Sequence, residues 1–231
     1  MSCLAIHLTN LEDANTMHSA AQDAEFGLVL IGPPGVGKGT QAAQLRDEFG
    51  LAHIATGDLL REHRAQDTQL GREATTYMSD GRLVPDGLVV AMVQERIRES
   101  PRFLLDGFPR TLAQAHALAE VLVVEGRPLT AAVFVDAPDE IVVERIAGRK
   151  EGRDDDNAAT VRRRLDVFHR STAPVIAYYD ALGLLYRIDA ARPIGEVYAD
   201  AQHLLRRLGG DELTAEDSAS VGDRLPASSG A

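Results

Sequence analysis

Five short apolar runs recur along the chain with amphipathic helical patterns between them: GLVLI at 27–31, AHIA at 52–55, RFLLD at 102–106, AAVFVD at 131–136 and LLYRID at 184–189. Strands joined through helices pair in parallel, and runs this apolar are covered on both faces. The rhythm predicts an α/β fold, a parallel five-stranded sheet flanked by helices. About forty-five residues separate the second and third runs, more than one crossover helix requires, so an insertion is expected there. After it, the helix predicted from Asp86 puts Leu88, Val89, Met92, Val93 and Ile97 on one stripe.

In such sheets ligands gather at the carboxyl ends of the strands, where the strand order reverses. The unusual text of this chain lies at those ends: GPPGVGKGT after the first strand, TGDLLR after the second, DGFPRT after the third and ERIAGRKEGRDDD beyond the fourth. In GPPGVGKGT, glycines 32, 35, 37 and 39 let backbone N–H groups converge on an anion. The helix opening near Lys38 adds its positive end, and Lys38 adds a full charge for terminal phosphates. A phosphate loop of the G-x-x-x-x-G-K-[ST] kind carries a hydroxyl directly after the lysine. Here Gly39 stands there and Thr40 follows.

Asp106 ends the third strand, where a carboxylate can orient waters around a magnesium ion. Phe108 and Pro109 stiffen the next turn, and Arg110 aims a guanidinium fork suited to phosphate into the same region. Thr111 and Gln114 fit a capping box at the head of the Leu112, Ala115, Leu118 and Leu122 stripe. Among the later arginines, Arg145 falls between Ile141 and Val142, on the inward side of its helix, with Arg149 one turn on. In TVRRRLDVF the apolar stripe is Val161, Leu165 and Phe168; Arg164 lies closest to it and Arg163 points almost directly away. An inward arginine needs an anion, either a phosphate or an acid such as Asp154, Asp155 or Asp156.

The formal net charge of −11 over 231 residues sits mostly at the ends, since residues 26–208 carry only −3. That body has no basic stripe for nucleic acid and suits a nucleotide better. The small, polar, acidic segment 209–231 is expected to be disordered, and the order of residues 1–25 is left open. The single cysteine, Cys3, excludes an intramolecular disulfide and a thiolate zinc cage. The seven histidines show no metal-ligand spacing and receive no role. With no apolar run long enough for a membrane and no cationic leader, a cytoplasmic protein is expected.

Taken in order, GPPGVGKGTQAAQL, ATGDLLRE, GRLVPD, LLDGFPRT, Gln114 and GRDDDNAATVRRRLDVF resemble the adenylate kinases, over about Gly27 to Leu208. The resemblance implies the P-loop nucleoside-monophosphate kinase fold in residues 26–208, with a helical flap for the monophosphate at 55–84 and a short lid at 148–156. It implies Mg2+-dependent transfer of the terminal phosphoryl of ATP to AMP, giving two ADP, by a monomer without nucleic-acid or membrane partners. ATP would be held by Gly35, Val36, Gly37, Lys38, Gly39 and Thr40, with Arg145 and the backbone at Arg192 near its base and Arg149 on its phosphates. AMP would lie against Thr56, Arg61, the edge Arg82, Leu83 and Val84, the turn Gly107, Phe108, Pro109 and Arg110, and Gln114. Arg153 and Arg164 would touch both the transferred and the accepting phosphates. The cationic catalytic set is then Lys38, Arg110, Arg149, Arg153 and Arg164, with Asp106 acting on Mg2+ through waters.

Ala55 departs from the Ser often found at its position in the family, and only KEG separates Arg149 from Arg153, too short for the larger lid that sometimes binds zinc. Three other readings share parts of this pattern. A UMP/CMP or other monophosphate kinase shares the fold; a non-catalytic nucleotide sensor would not need Lys38, Asp106 and Arg110 together; a switch GTPase would need an N-K-x-D stretch, which is absent.

Overall fold

The computed structural model describes residues 25–80, 82–148 and 158–209. Five strands, β1 (Phe26–Ile31), β2 (Ala52–Ala55), β3 (Arg102–Asp106), β4 (Ala131–Asp136) and β5 (Leu185–Asp189), form one sheet in the order β2-β3-β1-β4-β5. Every pairing is parallel. The apolar runs therefore became the strands, the first beginning one residue earlier and the fifth one residue later than its pattern.

Alternation along β1 divides the core. Leu28 and Leu30 face one side with Leu45, Val133, Val135 and Leu205, while Val29 and Ile31 face the other with Phe103, Leu105, Val93, Ile97 and Leu118. Full burial of each such side chain stabilises the fold by roughly 1.5–3 kcal/mol. β1 lies between β3 and β4, so the chain leaves it in one direction for β2 and β3 and crosses to the other for β4 and β5. The crevice opened by that reversal is where the site sits.

Helix α1 (Lys38–Phe49) follows β1 directly and buries Gln41, Ala42 and Leu45. Between β2 and β3 come α2 (Thr56–Ala65), α3 (Gln69–Ser79) and α4 (Asp86–Glu99). The first two form an arm within the expected insertion. They cross closely at Gly71, where a Cβ would come within 2.1 Å of the His63 carbonyl oxygen. Helix α4 buries Val89, Val93 and Ile97 as its stripe predicted. Helix α5 (Leu112–Glu125) precedes β4, and α6 (Asp139–Ala147) follows it. After the undescribed residues 149–157, α7 (Ala158–Val167) passes through one π-helical turn, Phe168–Thr172, into α8 (Ala173–Ala181). Helix α9 (Ile194–Gly209) packs beside α1, where Glu48 accepts from Gln202 and Arg206. Among the described residues no helix is long and apolar enough to cross a membrane.

Candidate active site

The floor of the crevice is the loop between β1 and α1. Gly35 has φ +86°, and a Cβ there would strike Ile146 at 2.4 Å, so the loop's close approach to α6 requires glycine. No acidic residue occupies the first turn of α1, which leaves its N–H groups and positive end uncompensated by the helix itself. Lys38 lies across this loop, with Nζ donating to the carbonyls of Gly32 (2.7 Å) and Pro33 (2.8 Å), and it lines the main cavity. The ammonium charge is thus held at the start of the loop, on the carbonyls of Gly32 and Pro33.

Asp106 is brought to the same point by strand register: it pairs with Leu30 of β1 on one side and Ala55 of β2 on the other. Burial pushes its carboxyl up, but His53, Lys38 and Arg110 together outweigh that and hold it below the ordinary carboxylate range. His53 Nε2 lies 3.5 Å from Oδ2, a close contact without hydrogen-bond geometry. Spacing alone did not reveal His53. Its one readable signal is its place in β2, three residues before Thr56, beside a strand ending in an acid.

The wall opposite the loop is assembled from the β2 and β3 ends. Thr56 is buried and donates to the carbonyl of Gly107 at 3.0 Å, tying the two strand ends together. Gly107 has φ +77° and a Cβ there would meet the Arg110 guanidinium at 2.7 Å, so glycine lets Arg110 fold back and donate from Nε to the Gly107 carbonyl at 2.6 Å. Phe108, predicted to line the site with its neighbours, is 1% exposed; its side chain belongs to the core, and it shapes the turn from beneath.

Thr111 caps α5 as expected, accepting from the Gln114 N–H at 3.1 Å. The reciprocal arm of the capping box differs: Gln114 Oε1 accepts from the Arg110 N–H at 2.7 Å, one residue ahead of the cap. Asp86, which the sequence reading gave no role beyond a helix start, explains the change. It accepts from Gln114 Nε2 (2.6 Å) and Thr111 Oγ1 (3.1 Å). A carboxylate can only accept here, so it fixes which end of the amide faces Arg110.

The arm contributes Arg61, paired with Asp58, and Arg82, paired with Asp80 at 3.0 Å and lying over the Tyr77 ring at 5.0 Å. Leu83 and Val84 line the main cavity beside them. Its volume is about 660 Å³, and it runs from Gly35, Gly37, Gly39 and Thr40 to Pro109, Gln114 and Arg164. A second cavity of about 310 Å³ adjoins the loop at Gly35 and Val36 and is bounded by Arg145 and Arg192. Arg145 donates to the carbonyls of Val36 (3.2 Å) and Arg192 (3.5 Å). The Arg192 guanidinium is engaged by Asp200, Asp189 and Glu196.

Arg149, Arg153 and most of the span expected as a lid lie outside the described residues. Arg163, which the helical angle sends outward, is exposed yet donates to the Asp80 carbonyl at the end of α3.

A glycine loop opening a helix at the reversal point of a 2-3-1-4-5 parallel sheet, with an acid and an arginine turn at the end of the next strand, defines a P-loop nucleoside-monophosphate kinase fold. The adenylate kinase family profile matches residues 30–184, and the chain belongs to that family. A protein named adenylate kinase from Streptomyces avermitilis is 44% identical over 213 residues, covering 78% of this chain and 97% of its own length. One of the same name from Thermus thermophilus is 46% identical over 179 residues, covering 77% and 95%. Another, from Xanthomonas euvesicatoria, is 49% identical over 175 residues, covering 74% and 94%.

Proposed function

We propose that the cleft catalyses reversible, Mg2+-dependent transfer of the terminal phosphoryl group of ATP to AMP, giving two ADP. The reaction class, phosphoryl transfer onto a phosphate, is that of the family. One observation carries the assignment to this cleft. A single cavity has an anion cradle with Lys38 on one wall and Arg61, Arg82, Arg110 and Arg164 around the rest, and joining two phosphorylated substrates requires both.

The ATP phosphates would rest on Gly35 to Thr40 and Lys38, with the base in the smaller cavity between Arg145 and the backbone at Arg192. AMP would occupy the far end, against Thr56, Arg61, the Arg82–Val84 edge, the Gly107–Arg110 turn and Gln114. Its phosphate is already an anion, so no general base is needed; alignment and positive charge lower the barrier. Arg110 and Arg164 would hold the transferring and accepting oxygens, and Arg149 and Arg153 take the lid roles the family implies. Residues 55–84 would act as the acceptor flap and 148–156 as a short, zinc-free lid of one catalytic body, 26–208. Only KEG separates Arg149 from Arg153, which supports a compact lid.

The residues at the loop suit magnesium. Asp106 is kept ionised by its cationic neighbours, and at Gly39 a Cβ would stand 3.6 Å from Oδ2, so glycine at this position puts no side chain of its own beside the carboxylate. When bound, the ion offsets charge on the phosphates, and Asp106 would orient its waters. The protein would work as a cytoplasmic monomer with no nucleic-acid or membrane partner.

A coupled assay offering AMP, UMP, CMP and GMP separately tests the acceptor. AMP is expected to be strongly preferred; a clear preference for UMP would make this a UMP/CMP-type kinase on the same fold.

A further inference from the structure

Arg163 lines neither cavity, and its position on α7 turns it towards solvent, yet it makes a long-range contact. Its Nη1 donates to the backbone carbonyl of Asp80, 2.9 Å away and 83 residues earlier in the chain. Asp80 is the C-cap of α3, with φ −84° and ψ −4°. The last carbonyls of a helix have no partner within it and lie at the negative end of its dipole, where a cation is favourable. Helix α3 has no basic residue in its own last turn, so the cation comes from another element.

The capped end is where the arm turns back into the cleft. Arg82 lies two residues on, its N–H donating to the Tyr77 carbonyl at 2.8 Å and its guanidinium held by the Asp80 carboxylate and the Tyr77 ring. Leu83 and Val84, on the cavity wall, come next. At its other end the arm is anchored to the sheet by the Thr56 bond to Gly107. One residue after Arg163, Arg164 reaches the cavity. Neighbouring arginines of α7 thus address two targets, one the cavity and the other the end of the arm.

We infer that Arg163 is a positioning residue for the acceptor nucleotide. By capping α3 it holds the arm towards α7 and sets the Arg82–Val84 edge. The inference rests on the reading that this edge receives the acceptor base. It makes acceptor affinity depend on a residue that touches neither substrate.

Replacing the exposed side chain, Arg163→Gln, leaves the cores untouched. The expected result is a rise in KM for AMP of roughly 3- to 10-fold, the scale of one exposed charge-assisted bond, with KM for ATP within about twofold. Arg163→Lys recovers most of the loss, because an ammonium can cap the same carbonyl. An unchanged KM for AMP, an equal rise in both KM values, or a lysine variant no better than glutamine overturns the inference. A second measurement needs no activity. Spin labels at Glu73→Cys and Asp180→Cys, in a Cys3→Ser background, report the distance from arm to core; Arg163→Gln should shift the distribution to longer distances, and an unshifted distribution overturns the inference. Wild-type protein that does not phosphorylate AMP would defeat the acceptor assignment, while the distance measurement would still decide the contact.

Discussion

Leu30 and Ile31, at the carboxyl end of β1, are each 2% exposed, Leu30 paired with β3 and β4 and Ile31 with β4, whereas the α2–α3 arm buries only Thr56 and Leu60 of one helix and Gly71 and Ala74 of the other. The loop that would receive phosphates grows from β1, the one strand among the described residues that is buried at every position. The edge that would receive the acceptor hangs from two short helices crossing at a glycine, an anchoring threonine and one remote arginine. A floor that must hold charge within a fraction of an ångström needs the dense core beneath it. An arm that admits and releases a substrate can be drawn from the less stable part of the fold.

The largest effect should come from the floor. Lys38→Ala removes the ammonium that donates to the Gly32 and Pro33 carbonyls, and kcat is expected to fall by roughly a thousandfold, the scale of losing a preorganised charge at the transferring group. Thermal unfolding should barely move, because the core under the loop is unaltered. A variant retaining kcat within tenfold of wild type would mean that the floor does not carry the chemistry, and the contrast with the arm would collapse.

Asp106→Asn should cost less, about 10- to 100-fold in kcat, with more Mg2+ needed for half-maximal rate. This variant also sharpens the contrast through pH. The folded carboxyl is held below its ordinary range, so its contribution to stability is present above the unfolded pKa, near 3.9, and is lost as pH falls through the lower folded value. Acid unfolding curves of wild type and Asp106→Asn should therefore converge at low pH and separate above it. Parallel curves across that window would show that the ionised acid adds nothing to the floor.

What could be read from sequence follows the same division. The strands and the loop declare themselves because their signals are local: five apolar runs, and glycines at fixed offsets before a lysine. Asp106 and Arg110 were readable as the polar end of a strand. The partners that hold these groups were not. His53 reaches Asp106 only because β2 pairs with β3 with Ala55 opposite Asp106, and no spacing announces that register. Asp86 meets Gln114 across 28 residues and rewrites half of the capping box. For Arg163, helical angle gave the correct side but not the destination, since a guanidinium on a long stem can grip a carbonyl that its helix face does not touch. The ionic partners of Arg192 likewise depend on how α9 leaves β5.

The smallest expected effect tests the arm alone. Gly71 lies where α3 crosses α2, and a Cβ there would stand 2.1 Å from the His63 carbonyl oxygen and 2.6 Å from the Arg64 nitrogen. These are backbone atoms, so no rotamer change relieves the clash, and Gly71→Ala must spread the two helices at a cost of about 1–3 kcal/mol. That cost falls on the arm, because the crossing shares no residue with the sheet. KM for AMP is expected to rise several-fold while KM for ATP and the unfolding temperature of the core stay near wild type. Hydrogen exchange should quicken in 56–79 and remain slow in β1, β3 and β4. If protection were lost equally in β1, the arm and the floor would be one cooperative unit, and acceptor binding could not be tuned apart from the chemistry.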